Sequence, residues 1–418
     1  MIYADFHIHS KYSRATSKSM DIKHLSLYGA MKGLNLIGTG DITHPKWIEE
    51  VKDETIDLNN GLYKSKYNDM HFMLSSEIAC IYSQDNKVKR IHHIIFFPNF
   101  EIVEQFNNAL RNHLLSKGKK CNLSSDGRPI IGLTSPELCE IAFNISPKIM
   151  IIPAHIWTPW FSLLGSMSGF DTIEDCYREY SNKILAYETG LSSDPLMNWR
   201  IDNIKDKLLI SNSDCHGPFV NRIGRECNVF RGKINDFSFN DLNNSFKNKD
   251  LLFTVEVDPS YGKYHFDGHR KCNVCFTPKQ TKEHENICLV CKKKLTIGVL
   301  NRVEELSNHS ENYKPSNAID FEYHIPLIEI ISNLIGKGVN TKLVNEIYSD
   351  LIKKFGNEYF IMFNGSIKEI DSCLNGLGNI IQSLRNKTLK VEPGYDGVYG
   401  KPLIGKVEFS KPRNLLDF

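Results

Sequence analysis

The sequence of 418 residues lacks any apolar run of the roughly 20 residues that a membrane-spanning helix needs, so we expect no membrane partner. It also lacks a basic N-terminal segment followed by an apolar one, and we therefore expect no signal peptide. The net charge is only +2, which argues against a uniformly basic nucleic-acid binder but leaves room for a local basic patch. No clear internal repeat or long low-complexity tract interrupts a composition that is typical of globular domains.

The eleven cysteines are an odd number, and seven of them are scattered along the chain. Scattered cysteines without a secretory signal are typical of a reducing compartment, so we expect a cytoplasmic protein. The other four form two pairs, Cys272-x2-Cys275 and Cys288-x2-Cys291, with twelve residues between the pairs. Two such pairs can wrap four thiolates around one ion and leave no open position. The spacing therefore predicts a structural Zn²⁺ site.

Two histidines follow a short apolar segment at the start of the chain, in Ala4-Asp5-Phe6-His7-Ile8-His9. Residues two apart in a strand point to the same face, so His7 and His9 would face the same way at the end of this strand. Two imidazoles that converge can bind a metal ion. The pair alone leaves an accidental spacing equally open.

Several later apolar runs also carry, or lead into, side chains that bind metals. The runs cover residues 34–38, 71–74, 91–97, 149–152 and 208–210. The side chains are Asp41, Glu77, His92 or His93, His155, Asp214 and His216. Because such strands alternate with helical segments, we predict a parallel sheet closed into a barrel, whose strand ends meet at one rim. Helix capping is the alternative for Asp41 and Asp214, and at most one of the adjacent His92 and His93 can face the rim.

Histidine and carboxylate ligands without cysteine suit zinc, manganese or iron with open coordination positions. Ions within about 4 Å of each other can activate a water molecule and stabilise the leaving oxygen in phosphoester hydrolysis. Glu77 is the natural bridging carboxylate, and Asp214 either bridges too or orients the attacking water. Together with Asp41, these are the predicted catalytic residues, and no serine or cysteine nucleophile is required.

The order of these residues resembles the PHP (polymerase and histidinol phosphatase) superfamily. The matching positions are His7-x-His9, Thr39-Gly40-Asp41, Glu77, His93, Pro153-x-His155 and Ser213-Asp214-x-His216. The resemblance implies a distorted seven-stranded β/α barrel with up to three metal ions. Carried over, the ligands are His7, His9, Glu77 and Asp214 for the first ion, Glu77, His93 and His155 for the second, and Asp41 and His216 for the third. Many members add a histidine shortly after the first motif, but residues 13–16 contain none, so either the third site is weak or Arg14 contacts substrate phosphate there.

The region around the paired cysteines is basic, with nine lysines and arginines and three acidic residues between positions 263 and 302. Aromatic residues lie between the cations, as in Tyr264-His265-Phe266-Asp267-Gly268-His269-Arg270. This mixture suits phosphate contacts and base stacking, so we predict that Lys263, His265, His269 and Arg270 bind DNA. A solvated charged face is the alternative, and His265 or His269 could instead assist the zinc ion.

The last part of the chain has the periodicity of helices. Apolar residues recur at three- and four-residue spacing over 322–334 and 341–355, and residues 367–384 contain Gly376-Leu377-Gly378. Such a glycine turn either presents backbone N–H groups to DNA phosphate or is a packing turn. The glycine-rich tail predicts a hairpin-like unit, and the terminal residues 415–418, LLDF, are a candidate contact for a sliding clamp.

Three segments, GKYHFDGHRKCNVC, CLVCKKKLTIGVLNRVEEL and PGYDGVYGK, resemble the endonuclease Q family over nearly the whole chain. This resemblance implies a DNA repair endonuclease that recognises deaminated bases (uracil, hypoxanthine, xanthine) or abasic sites and cuts on their 5′ side. It also implies that the altered nucleotide leaves the stack, and we place candidate pocket residues at 157–161 and Asn212. We expect Zn²⁺ in the catalytic cluster, with Mg²⁺ or Mn²⁺ as alternatives.

The domains predicted from these patterns are a catalytic domain over residues 1–235, a connector with the zinc module over 236–302, and a helical domain over 303–418. Two other functions stay open at this point. One is a phosphatase of the PHP type acting on a small phosphomonoester, which leaves the zinc module and the helical part without a use. The other is a DNA-binding protein whose metal site is degenerate.

Overall fold

The computed structural model describes residues 1–119 and 122–404 of the chain. The strands are β1 (Ile2–Asp5), β2 (Leu36–Gly38), β3 (Thr55–Asp57), β4 (Tyr63–Ser65), β5 (His71–Met73), β6 (Ser75–Gln84), β7 (Lys87–Phe96), β8 (Ile130–Ile131), β9 (Met150–Pro153), β10 (Ala186–Glu188), β11 (Leu208–Ile210), β12 (Cys227–Phe230), β13 (Phe253–Glu256), β14 (Asp267–His269), β15 (Val274–Phe276), β16 (Asp320–Tyr323), β17 (Val391–Glu392) and β18 (Lys401–Pro402). The helices are α1 (Ile22–Lys32), α2 (Pro45–Glu54), α3 (Phe100–Ser116), α4 (Ser135–Ile145), α5 (Ile173–Tyr177), α6 (Pro195–Trp199), α7 (Phe239–Asn248), α8 (Pro278–Glu283), α9 (Val299–Leu306), α10 (Leu327–Ile335), α11 (Lys342–Phe355), α12 (Ile367–Cys373) and α13 (Leu377–Arg385).

Three sheets surround the predicted rim. One has the order β16-β13-β12-β1-β2-β5-β4-β3, the second is β8-β6-β7-β9, and the third is β10-β11. The pairs β1–β2, β2–β5 and β10–β11 are parallel, whereas β6–β7, β7–β9 and β1–β12 are antiparallel. The fold is therefore mixed α/β. The predicted parallel sheet is observed only in part, because β7 follows β6 through a tight hairpin and pairs with it in antiparallel. A closed seven-stranded barrel is not confirmed among the described residues.

The central strands are buried on both faces, which explains their nearly continuous apolar sequence. Leu36 packs into one buried cluster and the adjacent Ile37 into another on the opposite side of the sheet. Phe6 and Ile8, in the segment that follows β1, divide between the same two clusters. Most polar residues of the predicted site follow the ends of such strands, whereas Glu77 lies within β6 and His92 within β7.

The largest sheet extends past the predicted domain boundaries at 235 and 302. Strand β13 pairs with β12, and β16 pairs in parallel with β13, so segments from all three predicted domains join one sheet. The division into three domains stays a prediction. The paired cysteines lie on a separate unit, in which β14 and β15 form a hairpin over a small core of Val274, Cys288 and Leu295.

The C-terminal part is helical, as predicted. Helix α11 matches its predicted span, whereas α10 begins later than expected because residues 320–323 form β16. The helical segment over 367–384 consists of α12 and α13, with the predicted glycine turn between them at Gly376, whose φ of 85° an L side chain rarely adopts. Strands β17 and β18 form the expected hairpin-like unit, and the candidate clamp contact at 415–418 lies outside the described residues. Within residues 1–119 and 122–404, no helix has the length and apolar character that crossing a membrane requires.

Candidate active site

Residues from strands of all three sheets, or from the segments that follow them, bring two groups of metal-binding side chains together. His7, His9 and Asp214 form one group and Glu77, His92 and His155 the other, and within each group the ligand atoms lie within 4.8 Å of one another. The groups adjoin, because Glu77 Oε1 lies 3.7 Å from His7 Nε2 and Glu77 Oε2 lies 3.4 Å from His9 Nε2. Residues more than 200 positions apart thus meet in one cluster, with Glu77 between its halves.

Glu188, at the end of β10, holds His7 in place. His7 Nδ1 lies 3.1 Å from both carboxylate oxygens of Glu188, while His7 Nε2 is buried and has no hydrogen-bond partner among the described residues. A carboxylate behind the far nitrogen of an imidazole is the usual support of a metal-binding histidine. Sequence reasoning missed Glu188, although residues 184–187 form an apolar run that leads into this acid like the runs that did attract attention.

Asp41 supports His9 in the same way. Its Oδ1 lies 3.1 Å from His9 Nδ1, and its Oδ2 accepts hydrogen bonds from the Ser10 amide at 2.6 Å and the Ser10 hydroxyl at 2.7 Å. Both oxygens are therefore engaged within a buried network. The prediction that Asp41 joins His216 as a metal ligand does not agree with this arrangement. His216 itself lies beside His9, with the ring centroids 4.4 Å apart, and its Nδ1 is 3.9 Å from Asp214 Oδ1.

His92, and not His93, faces the cluster. His92 Nδ1 lies 2.5 Å from Glu77 Oε1 and 3.3 Å from His155 Nε2. His93 pairs across the sheet with Ile78, on the opposite face, and contacts the Tyr177 hydroxyl at 2.8 Å. The assignment of His93 as a ligand is therefore wrong, because the alternation of β7 turns it into the core.

The carboxylates and imidazoles in the cluster shift each other's pKa values. Burial alone would lower the pKa of His7, but Glu188 and Asp214 outweigh it and raise this pKa well above the ordinary value. Burial alone would likewise raise the pKa of Glu77, yet His92 and Arg128 hold it well below its usual range. The folded cluster thus favours positive charge among its carboxylates. A bound metal ion would supply that charge, and the orphaned His7 Nε2 is a fitting donor.

Three of the site residues have backbone conformations that L residues rarely adopt. The φ angles of Asp41, His155 and Asp214 are 50°, 28° and 45°. Such conformations cost about 1–3 kcal/mol each and persist where the surrounding structure enforces them, which is common at functional sites.

A cleft of about 770 Å³ opens over the cluster. It is lined by the site residues His92, His155, Asp214 and His216, by the cations Arg90, Arg128, Arg222, Arg225 and Lys263, and by the rings of Trp160, Phe161, Tyr264 and Tyr399. The predicted pocket residues Trp160, Phe161 and Asn212 therefore belong to it, whereas Trp157 is buried in the core. A cationic cleft lined with aromatic rings suits a nucleic-acid strand.

The second candidate metal site contains three of the four paired cysteines and one histidine. His269, Cys272, Cys288 and Cys291 place their ligand atoms within 4.8 Å of one another, with His269 Nδ1 3.2 Å from Cys291 Sγ. Desolvation alone would raise the pKa of Cys288, but the Cys291 amide and His269 lower it to about 6, which favours a thiolate ligand. Three thiols and an imidazole suit a closed structural zinc site.

The expected fourth thiol of Cys275 is not part of this group. Val274 pairs with His269 across the β14–β15 hairpin, so these two side chains share a face with the small core that contains Cys288. Cys275 alternates to the other face. The four-cysteine prediction is therefore corrected to three cysteines and His269, and His269 is taken out of the predicted DNA-binding set.

Comparison with solved structures gives two similar proteins that match along nearly the whole chain. The lesion-specific endonuclease PfuEndoQ from Pyrococcus furiosus is 31% identical, with a TM-score of 0.84 over 96% of this chain and 95% of that chain. An endonuclease Q complex with a 27-mer duplex substrate that has an abasic lesion at the active site is 31% identical, with a TM-score of 0.85 over 97% and 99% of the two chains. The chain belongs to the endonuclease Q family.

Two further comparisons match parts of this endonuclease Q family member. A sequence profile of the MJ0043 C-terminal domain family matches residues 326–388, which contain α10 to α13. The uncharacterized protein MJ0043 of Methanocaldococcus jannaschii is 35% identical over 251 residues, or 59% of this chain. The match spans 31% of the length of that curated relative.

The remaining predicted DNA-binding residues of this endonuclease Q family member differ in their surroundings. Lys263 is exposed and lies over the rings of Tyr264 and Tyr399 at the cleft. Arg270 is also exposed, and the Arg14 side chain is 77% exposed with its Nε 3.2 Å from Asp126. His265 is buried and stacks on Phe266, so its prediction as a DNA contact does not agree with the structure.

The backbone N–H groups of the glycine turn between α12 and α13 already have a hydrogen-bond partner in the chain. The amides of Gly376 and Gly378 both donate to Asp371 Oδ1, at 2.9 and 3.0 Å. A β-carbon on Gly378 would lie 2.7 Å from the Ile367 carbonyl oxygen. The contacts favour the packing alternative over phosphate binding for this turn in the endonuclease Q family member.

Proposed function

We propose that the chain is a metal-dependent endonuclease that hydrolyses the DNA backbone on the 5′ side of a deaminated base or an abasic site. The observation that carries the proposal is the metal-type cluster, three of whose residues, His92, His155 and Asp214, line a cleft that is also lined with cations and rings. The family supports it, because the similar solved proteins are described as lesion-specific and as bound to a duplex with an abasic lesion.

His7, His9 and Asp214 would hold one metal ion, and Glu77, His92 and His155 a second, with Glu77 close enough to serve both. Zn²⁺ suits these ligands, with Mg²⁺ or Mn²⁺ as alternatives. Bound there, the ions would lower the pKa of a water molecule and offset the charge of the phosphate. In this proposal the three sheets are the walls of a distorted barrel, and their strand ends supply the ligands.

The chain's own residues orient the site. Glu188 and Asp41 fix the Nδ1 side of His7 and His9, so that both Nε2 atoms point at the cluster. The five cations of the cleft attract the DNA backbone, a contribution that weakens with salt. The rings of Trp160, Phe161, Tyr264 and Tyr399 offer stacking faces to unpaired bases at about 1–3 kcal/mol per base. An altered base that pairs weakly costs less to unstack than a normal one.

The cleft also separates this proposal from its rivals. A phosphatase for a small phosphomonoester has no use for a cleft of about 770 Å³ lined by five cations and four rings. A DNA-binding protein without catalysis has no use for buried carboxylates that orient metal-binding histidines, as Glu188 orients His7.

A panel of end-labelled duplexes tests the proposal. Each duplex contains one uracil, hypoxanthine, xanthine or abasic site, and nicking is mapped with each of Zn²⁺, Mn²⁺ and Mg²⁺. The wild type should cut on the 5′ side of at least one lesion and leave the undamaged duplex intact. Asp214→Asn should reduce the rate by about 10³-fold, because a charged group in a preorganised electrostatic site is lost, while DNA affinity is retained. Wild-type protein that hydrolyses only a small phosphomonoester, or nothing with any of the metals, would contradict the proposal.

A further inference from the structure

We propose that Arg128 contacts the phosphate that is cut, a role that rests on the proposed endonuclease function. Arg128 lines the cleft together with His92, His155 and Asp214. Its Nη1 donates to Glu77 Oε2 at 3.1 Å, and its side chain is 27% exposed. Within residues 1–119 and 122–404, Glu77 is the one side chain that accepts a hydrogen bond from this guanidinium. Its other N–H groups are therefore available to a ligand in the cleft.

The backbone fixes this position. The Arg128 amide donates to Asp126 Oδ1 at 3.2 Å, and the Gly127 amide donates to the Tyr12 carbonyl at 3.0 Å. A β-carbon on Gly127 would lie 2.3 Å from Asp41 Oδ2, so the chain passes against the layer that supports His9. The guanidinium is thereby preorganised next to the cluster, which is the condition for stabilising charge in a transition state.

The chemistry of a guanidinium fits the reaction. Its planar array of N–H donors matches two oxygens of a phosphate, and it stays charged throughout. During hydrolysis the water oxygen bonds to phosphorus, and the bond from phosphorus to the 3′ oxygen of the preceding nucleotide breaks. That oxygen takes up a proton, and the products are a 3′-hydroxyl and a 5′-phosphate. Arg128 would stabilise the charge on the non-bridging oxygens and would transfer no proton.

The other cations of the cleft have different surroundings. The Arg90 guanidinium lies over the Phe161 ring, 5.8 Å from its centroid. Arg225 directs Nε and Nη2 to the Ser213 carbonyl. No contact of either side chain with a carboxylate of the metal-type cluster occurs among the described residues. We therefore assign Arg128 to the phosphate that is cut and the other cations to the flanking backbone.

The test compares Arg128→Gln and Arg128→Lys with wild type in single-turnover cleavage of a duplex with an abasic site. Arg128→Gln should slow cleavage by about 10²–10³-fold, the usual effect of losing one preorganised donor, with a much smaller change in DNA affinity. Arg128→Lys should recover part of the rate. The matched control is Arg111→Gln on α3, whose Nη1 contacts Asn108 outside the cleft lining, and this variant should cleave like wild type.

A modified substrate distinguishes contact from a structural role. A methylphosphonate at the cut position replaces one non-bridging oxygen with a methyl group, and the two diastereomers are tested separately. For one diastereomer, replacing the phosphate with the methylphosphonate should slow cleavage clearly less in Arg128→Gln than in wild type. The variant already lacks the contact between Arg128 and the replaced oxygen. Equal penalties, or an Arg128→Gln rate equal to that of wild type, would overturn the Arg128 role and leave the endonuclease proposal standing. Wild type that cuts no lesion would overturn both.

Discussion

The two candidate metal clusters are built in opposite ways. The first gathers residues from position 7 to position 214 on strand ends of three sheets, and buried carboxylates hold His7 and His9 from behind. The second lies within residues 269–291, on the β14–β15 hairpin and the turn after α8, over a core of three buried residues. The first cluster depends on the whole fold, whereas the second depends on a local segment.

This difference determines what each site needs from its ion. A segment with so small a core lacks the buried apolar area that stabilises a domain, so bound metal has to supply folding free energy. The strand-end cluster is already held by the sheets and by Glu188 and Asp41, so its ions serve chemistry more than folding. Changes in the two clusters should therefore have different consequences.

The largest expected effect is in the local cluster. It distinguishes a ligand set of four cysteines from one of three cysteines and His269. Cys288→Ser should prevent this cluster from holding zinc and should unfold the segment around β14 and β15, because a thiolate ligand is removed. Cys275→Ser should retain the zinc, since Cys275 lies on the opposite face of β15. Zinc content after brief chelation, measured by elemental analysis together with thermal unfolding, checks both. Loss of zinc from Cys275→Ser with retention in a His269→Ala variant would restore the four-cysteine set.

The same contrast shows how far sequence reasoning reaches. Spacing located the local site and three members of its ligand group but not the fourth, because a Cys-x2-Cys pair does not reveal that β15 turns Cys275 away. Strand-end reasoning brought His7, His9, Glu77, His155, Asp214 and His216 to one place, and the structure does bring them together. Choosing between His92 and His93 required the register of β6 and β7, which depends on pairing between distant residues.

Support residues are harder to predict than ligands. Glu188 follows an apolar run like the other candidates, but nothing in the sequence says which strand lies behind His7. The C-terminal helices were predictable from periodicity, whereas β16 was read as the start of a helix because only the sheet order reveals that it pairs with β13. Local patterns thus predict elements and candidate residues, and long-range pairing decides their roles.

The next prediction concerns the support behind His7. Glu188 accepts hydrogen bonds from His7, the His155 amide and Asn212. Glu188→Gln removes the negative charge and directs an amide N–H at one of these donors. Loss of such a support typically costs about 10–100-fold in metal affinity or activity. We expect a reduction in this range in cleavage of abasic DNA and a higher metal concentration for half-maximal rate.

The zinc content of the local cluster should not change in Glu188→Gln, since the two sites share no residue. A suitable control is Glu256→Gln, another buried acid, which contacts Ser211 and Thr189 instead of His7. Its cleavage rate should stay close to that of wild type. A Glu188→Gln enzyme with normal metal dependence would show that the sheets alone position His7.

The smallest expected effect concerns the stability of the fold on which the strand-end cluster depends. Glu256 is fully buried, and desolvation with the nearby charge of Asp194 raises its pKa from 4.5 to about 8. The folded protein therefore binds more protons than the unfolded chain between about pH 4.5 and 8, so this group's stabilising contribution is lost as the pH rises through 8. Glu256→Gln cannot lose a proton and should flatten the pH dependence of Tm, with a Tm about 2–4 °C above that of wild type at pH 9, the shift expected for about 1 kcal/mol in a large domain. Parallel Tm profiles of the two proteins from pH 5 to pH 9 would show that the carboxyl is already ionised in the fold.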